Sequence, residues 1–171
     1  MKIRAINTLT DFEEAHTLID AMRKWDAEQS RNFGVPDAEL IEYIYGHTPE
    51  TLQEKFSRPD AGFFLARIDE NIAGCAGYSK SAGDIAELQK MYVRPEMRGR
   101  GVARGLMTAC IDAMRRDGYS VVRLETVTFM RDAIALYDSF GFKRSDSFRT
   151  VPASLEPITI FMKRKLQGTA S

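Results

Sequence analysis

Several features that would mark a specialised class are scarce or absent from this chain. Only two cysteines, Cys75 and Cys110, occur in 171 residues. That is too few for a disulfide scaffold, and both lie in apolar runs where a free thiol behaves as a small hydrophobe. The only two histidines, His16 and His47, have no His or Cys at ligand spacing, so no metal site is expected. Charge of neither sign is in excess, since 24 Lys plus Arg oppose 24 Asp plus Glu. A protein that neutralises phosphates along a nucleic acid carries a basic surplus, so a nucleic-acid partner is not expected. No stretch approaches the roughly 18 consecutive apolar residues of a membrane span. The opening Met1-Lys2-Ile3-Arg4-Ala5-Ile6 has no apolar leader core, and the expectation is a cytoplasmic protein without a membrane partner.

What is present reads as one globular domain over residues 1–166, with a frayed tail at Gln167–Ser171. Apolar residues make up 44% of the chain and charged residues 28%, ordinary values for a packed protein. Lys2–Ile6 alternates like a short strand. Thr10 and Glu13 form a capping box ahead of Phe12, Ala15, Leu18, Ile19, Met22 and Trp25, the stripe of an amphipathic helix. After the break at Asn32–Pro36, Leu40, Ile41, Ile44 and Tyr45 give a second short helix, and Thr48-Pro49 starts a third that runs towards Phe56. The period then changes. Phe63–Ile68, Ile72–Ser79 and Ile85–Val93 read as three successive antiparallel strands joined by turn-rich segments. A helix carrying Val102, Leu106, Ala109, Cys110, Ala113 and Met114 ends at Asp117-Gly118. The strand Ser120–Thr126, a helix Arg131–Phe140 stopped by Gly141, and a final strand Ile158–Lys163 complete the order. This succession implies an α/β or α+β sheet with helices on its faces, containing a parallel crossover around the helix at 101–117.

The most informative residues lie at the start of that crossover helix, in Arg98-Gly99-Arg100-Gly101-Val102-Ala103-Arg104-Gly105. The first amides of a helix have no intrahelical acceptor, the dipole is positive there, and glycine allows a ligand close to the backbone, so the turn suits a phosphate or pyrophosphate. Together with Arg94, the three arginines concentrate positive charge in an otherwise balanced chain. A solvated glycine-rich connection explains the same residues. So does a dinucleotide fold, with Glu125 at the end of the next strand as its ribose-binding acid, although Arg94-Pro95-Glu96-Met97 separates the glycines from the strand. A nucleoside-triphosphate loop does not fit, because no Gly-Lys-Ser/Thr follows.

Arg98-Gly99-Arg100-Gly101-Val102-Ala103 resembles the Gln/Arg-x-x-Gly-x-Gly/Ala signature of the GNAT superfamily of acyl-CoA N-acyltransferases. It follows a strand ending in Tyr92-Val93-Arg94-Pro95 and precedes Leu136-Tyr137 to Gly141-Phe142 by about 30 residues. The resemblance covers roughly Gly62–Leu166. It implies a mixed, largely antiparallel central sheet of about six to seven strands flanked by helices, with the fourth and fifth strands splayed apart around acetyl-CoA. By the same resemblance the pyrophosphate rests on the amides of Gly99, Arg100, Gly101, Val102, Ala103 and Arg104, helped by Arg98 and Arg100. The pantetheine arm pairs with backbone near Met91, Tyr92 and Val93, and the Met91 amide polarises the thioester carbonyl.

Acyl transfer to an amine poses two proton problems. An amine with a lysine-like pKa of about 10.4 must lose a proton before or during attack. Glu87, 11 residues before Arg98, stands where several members of the family carry an acid, and is a candidate base or an anchor for a cationic acceptor. Strand alternation puts Glu87, Gln89, Met91 and Val93 on one face. A thiolate of pKa about 8.5 must leave, and Tyr137 matches the family tyrosine that acts there as general acid; helical periodicity alone also accounts for it as a core aromatic. Many relatives have an asparagine where Met130 stands, so that cofactor contact is not carried over. Glu125 is read as an end-of-strand acid paired with Arg123 or Arg149 in a solvated network. Trp25, Phe33, Tyr43 and Tyr45 are candidates for a pocket wall. The reading implies acetyl-CoA as cosubstrate, an amine acceptor, no metal, and admits a homodimer. A non-catalytic acyl-CoA sensor is the other class compatible with the same residues.

Overall fold

The computed structural model describes residues 1–166; the expected tail at Gln167–Ser171 lies outside them. Helix α1 covers Leu9–Arg31 and is capped by Thr8, whose hydroxyl accepts from the Asp11 amide at 3.2 Å. The cap expected at Thr10 therefore sits two residues earlier: Thr8 holds the extended backbone that a cap requires, whereas Thr10 is already helical. Asp11, in the first turn, also binds Arg4 of strand β1 (Lys2–Ala5), and this hydrogen bond holds its carboxyl down to about 2. Helix α2 (Asp37–Leu40) continues into a π-helical turn, Ile41–Tyr45. Thr48 and Thr51 cap α3 (Pro49–Phe56) reciprocally.

Strands β2 (Ala61–Ile68), β3 (Asn71–Ala82) and β4 (Ile85–Val93) form the expected meander, followed by α4 (Val102–Arg116), β5 (Val121–Val127) and α5 (Arg131–Ser139). A two-residue strand β6 (Lys143–Arg144), too short to leave a periodic trace, pairs with β7 (Thr159–Lys165). The sheet order is β1-β2-β3-β4-β5-β7-β6, and β4–β5 is its parallel pair while the other pairs are antiparallel. That topology lacks the repeated parallel units of a doubly wound sheet and excludes the dinucleotide reading.

Each face of the sheet buries its own core. Phe12, Leu18, Phe56, Phe63, Leu65 and Cys75 pack under α1 and α3, while Leu106, Met107, Cys110, Met114 and Phe142 pack under α4 and α5. A fully buried side chain of this kind contributes roughly 1.5–3 kcal/mol. The two cysteines are thus free and buried on opposite faces. Burial pushes the Cys75 thiol up to about 12 and that of Cys110 up as well, so both are inert.

Two irregularities shape the centre. In β4, Tyr92 pairs with Cys75 but Gln89 pairs with Gly77, so β4 carries one residue more than β3 across this stretch. The bulge falls at Lys90, whose φ of 56° is left-handed. Alternation is reset there. Leu88 and Val93 both join the α4-side core and Tyr92 joins the α1-side core, so Glu87 and Gln89 lie on the face opposite Val93 and the partly buried Met91. The expectation that all four share a face fails because it assumed unbroken pleating. The second irregularity is that β4 and β5 pair only at Ile85↔Val121, Ala86↔Val122 and Glu87↔Arg123. Beyond Glu87 they part, while β5 continues along β7 to Val127.

Candidate active site

A cleft of about 220 Å³ occupies the parting of β4 and β5. It is lined by Glu87–Met91 of β4, Glu125–Val127 of β5, and Ala133 and Tyr137 of α5. Met22, Asp26 and Ser30 of α1 and Tyr43–Tyr45 of the π-helical turn line it from the opposite face of the sheet, with His47, Lys55, Phe129, Met130 and Arg149. The wider helical turn at Ile41–Tyr45 brings three consecutive side chains to one wall. Glu87 and Tyr137, far apart in sequence and on different elements, thus face one space.

One side of the cleft is organised around Arg149. Its guanidinium binds Glu87 Oε2, and its Nε lies 3.6 Å from Glu125 Oε2. Phe148 offers its ring to Arg149 at 4.9 Å and to Arg123 at 4.0 Å. Glu87 is 7% exposed, accepts a further hydrogen bond from Ser81 at 3.4 Å, and keeps Oε1 without a partner among the described residues. Glu125 accepts from the Tyr43 hydroxyl at 3.0 Å. Burial raises its carboxyl above the ordinary range, with Tyr43 and Arg149 pulling it back. Its expected arginine pairing holds for Arg149 and not Arg123; the network is largely buried rather than solvated.

The other side is a compact polar cluster with no precedent in the motifs. Tyr45 donates to Asp26 Oδ2, and Lys90 Nζ donates to the Ile44 carbonyl at 2.5 Å while lying 5.2 Å from the centre of the Tyr45 ring. Burial pushes the Asp26 carboxyl up to about 7, against the pull of the Tyr45 hydroxyl and Lys90. Burial lowers Lys90 to about 8. Burial with Lys90 and Lys55 nearby lowers His47 to about 4, which leaves a neutral imidazole. Among the described residues no group of three or more His, Cys, Asp or Glu side chains is placed to hold a metal ion.

Tyr137 is 6% exposed and packs on Phe142 with ring centres 5.9 Å apart. Burial alone raises its phenol, so the hydroxyl stays protonated.

The glycine turn lies outside this cleft lining, at the far end of β4. Gly99 and Gly101 hold left-handed φ of 73° and 79° with open space where a Cβ would stand. Among the described residues the amides from Gly99 to Arg104 donate to no carbonyl; Gly105, bonded to Gly101 at 3.0 Å, is the first that does. No side chain caps the helix. Gly105 serves packing instead, since a Cβ there would stand 2.6 Å from Ile3 Cδ1. Arg100 is exposed at the turn. Arg98 Nε donates to the Val93 carbonyl at 3.3 Å, and Arg104 lies 5.1 Å from the Phe140 ring centre. Arg94 leaves the group by donating to the Ile72 carbonyl at 3.0 Å. Neither neighbouring strand is in register with Met91, in the bulge, whereas the Tyr92 side chain is buried and offers only its backbone.

Of the aromatic candidates, Tyr43 and Tyr45 line the cleft. Trp25 and Phe33 reach it only through Phe129, against which they pack at 5.8 and 5.5 Å. Asp26, Ser30 and Lys90 escaped the motif reading. The available signal was periodic: Asp26 and Ser30 continue the Leu18–Met22 stripe at four-residue steps, as polar residues on a buried helical face.

A family model described as the acetyltransferase (GNAT) family matches residues 19–142. The uncharacterized N-acetyltransferase YjgM of Escherichia coli is 34% identical over 100 residues, which is 57% of this chain and 60% of that protein. The IAA acetyltransferase of Azospirillum brasilense is 31% identical over 114 residues, 66% of this chain and 73% of that protein. The match thus spans less than two thirds of the first relative's length. The structure of PaiA N-acetyltransferase from Thermoplasma acidophilum in complex with coenzyme A superposes with a TM-score of 0.70 at 22% identity, covering 96% of this chain and 99% of that one. At that identity it speaks for the fold.

Proposed function

The chain belongs to the GNAT acetyltransferase family, and from that premise we propose that it moves the acetyl group of acetyl-CoA to a primary amine of a small molecule or peptide, by direct attack with both substrates held at once. The observation that carries this reading is the parting of β4 from β5 after Glu87, which opens one cleft to Glu87 from one side and Tyr137 from the other.

The glycine turn fits a pyrophosphate. A run of amides without acceptors, two left-handed glycines and an uncapped helix start together favour an anion that no side chain of the protein replaces. Arg98, Arg100 and Arg104 border it, and the β5-facing side of β4 from Lys90 to Val93, which has no strand partner on that side, is left for the pantetheine amides. Acetyl-CoA supplies an activated thioester when bound. The Met91 amide, released from strand register by the bulge, is assigned to the thioester oxygen.

Glu87 Oε1 is assigned to accept the proton that the attacking nitrogen loses, directly or through water; Arg149 and Ser81 fix the carboxylate through its other oxygen. As the new C–N bond forms and the C–S bond breaks, the Tyr137 hydroxyl is the donor assigned to the departing sulfur. Its burial keeps it protonated, which a donor requires. The test is Tyr137→Phe in a thiol-release assay across a panel of amines. Turnover falls about 100-fold while acetyl-CoA affinity stays within about twofold of wild type. Unaltered turnover removes Tyr137 from the mechanism. Acetyl-CoA binding without thiol release by the wild type for any amine supports the sensor instead.

A further inference from the structure

Among the described residues, three that line the cleft carry a buried side-chain oxygen with no hydrogen-bond partner: Asp26 Oδ1, Ser30 Oγ and Gln89 Oε1. Asp26 and Ser30 are 5% and 1% exposed and lie one turn apart on α1, while Gln89 shares its β4 face with Glu87. Tyr45 engages Asp26 Oδ2, which fixes the carboxylate and leaves Oδ1 over. The other buried polar atoms without partners among the described residues, Arg115 Nε and Arg123 Nε, are donors and lie outside the cleft lining. A buried acceptor without a donor bears its full desolvation cost, and native proteins rarely leave one so. The ionised Asp26 Oδ1 and Gln89 Oε1 therefore call for a donor-bearing group, to which the Ser30 hydroxyl can add a further hydrogen bond.

We infer that this corner of the cleft is a subsite for a hydrogen-bond-donating arm of the acceptor, a hydroxyl or ammonium carried a few carbons from the amine that is acetylated. The inference rests on the transferase reading and names its substrate class. The cleft of about 220 Å³, shared with the thioester end of acetyl-CoA, leaves room for a short chain only, at about 30 Å³ per water-sized unit. Met22 and Leu40 supply apolar wall for its carbons. A plain alkylamine leaves these acceptors unserved.

The experiment compares n-alkylamines of roughly two to five carbons with their ω-hydroxy and ω-amino counterparts, using wild type, Ser30→Ala and Asp26→Asn. Two readouts are taken: kcat/KM by thiol release, and thermal stabilisation by each amine in the presence of coenzyme A. At the preferred length the donor-bearing amine exceeds the alkylamine by at least about tenfold in kcat/KM, mostly through KM, and both variants bring that ratio towards one. Asp26→Asn weakens ω-amino compounds more than ω-hydroxy compounds when the arm is an ammonium, and both equally when it is a hydroxyl. A wild-type ratio near one at every length, with turnover intact, overturns the subsite and leaves the transferase reading standing; so does a ratio that survives in both variants. Stabilisation by donor-bearing amines that Ser30→Ala abolishes, without turnover of any amine, keeps the subsite and sinks the transferase reading. Neither turnover nor stabilisation overturns the subsite.

Discussion

Asp26→Asn tests how the cleft stores free energy. Burial raises the folded-state pKa of Asp26 from 3.8 to about 7. An acid whose folded pKa lies above its unfolded value makes the folded state hold more protons between those two pH values. Stability is then lost as pH rises from about 4 through about 7, and the loss is fully established above that. At about 1.4 kcal/mol per tenfold ratio, the penalty approaches about 4 kcal/mol above pH 7, and it grows by about 2.5 kcal/mol between pH 5 and pH 7.5. Asparagine keeps an acceptor for the Tyr45 hydroxyl and removes the titration. Lys90 contributes with the opposite sense, its folded pKa lowered to about 8, so its titration falls mainly above this window. Urea unfolding is measured for both at about pH 5 and about pH 7.5. With a slope of about 2 kcal/mol per molar, the midpoint of the variant rises relative to wild type by about 1 M between the two. Midpoint curves that run parallel over this range refute a raised Asp26 pKa and with it the buried, uncompensated carboxylate.

Gly101→Ala places a Cβ on a residue at φ 79° and costs about 1–2 kcal/mol; it also weakens acetyl-CoA binding by about tenfold in a calorimetric titration. Gly83→Ala, at φ 53° in a turn far along the chain, serves as control, with a comparable stability cost and unchanged affinity. Arg149→Met leaves Glu87 and Glu125 in the cleft without their shared partner. Because Arg149 is about a third exposed, the loss is put at about 1–2 kcal/mol. Removing a group that lowers the Glu125 pKa makes the loss larger at about pH 7 than at about pH 4, by urea midpoint; equal losses at both refute the charge pairing.

The meander, the crossover helix and the glycine turn were legible because each has a local cause. Period-two strands, a stripe at 3.6-residue spacing and left-handed glycines are written in neighbouring residues. Tyr137 was legible only through the spacing of a recurrent motif. The bulge at Lys90 was not, since an extra residue in one strand is defined by its partner, Cys75–Gly77. Nor was the role of Arg149, which meets Glu87 across 62 positions.

The sequence by itself therefore determined the order of the elements apart from the two-residue β6, the helices that cover the faces of the sheet, and a glycine-rich helix start, because these follow from short-range periodicity and backbone preference. Tertiary structure alone decided that β4 and β5 part after Glu87, that the bulge turns Gln89 and Met91 to opposite faces, and that Asp26, Ser30 and Gln89 stand unpaired around one cleft. Those facts depend on strand register and on residues distant in the chain, where no local pattern records which neighbour will desolvate a group or leave it without a donor.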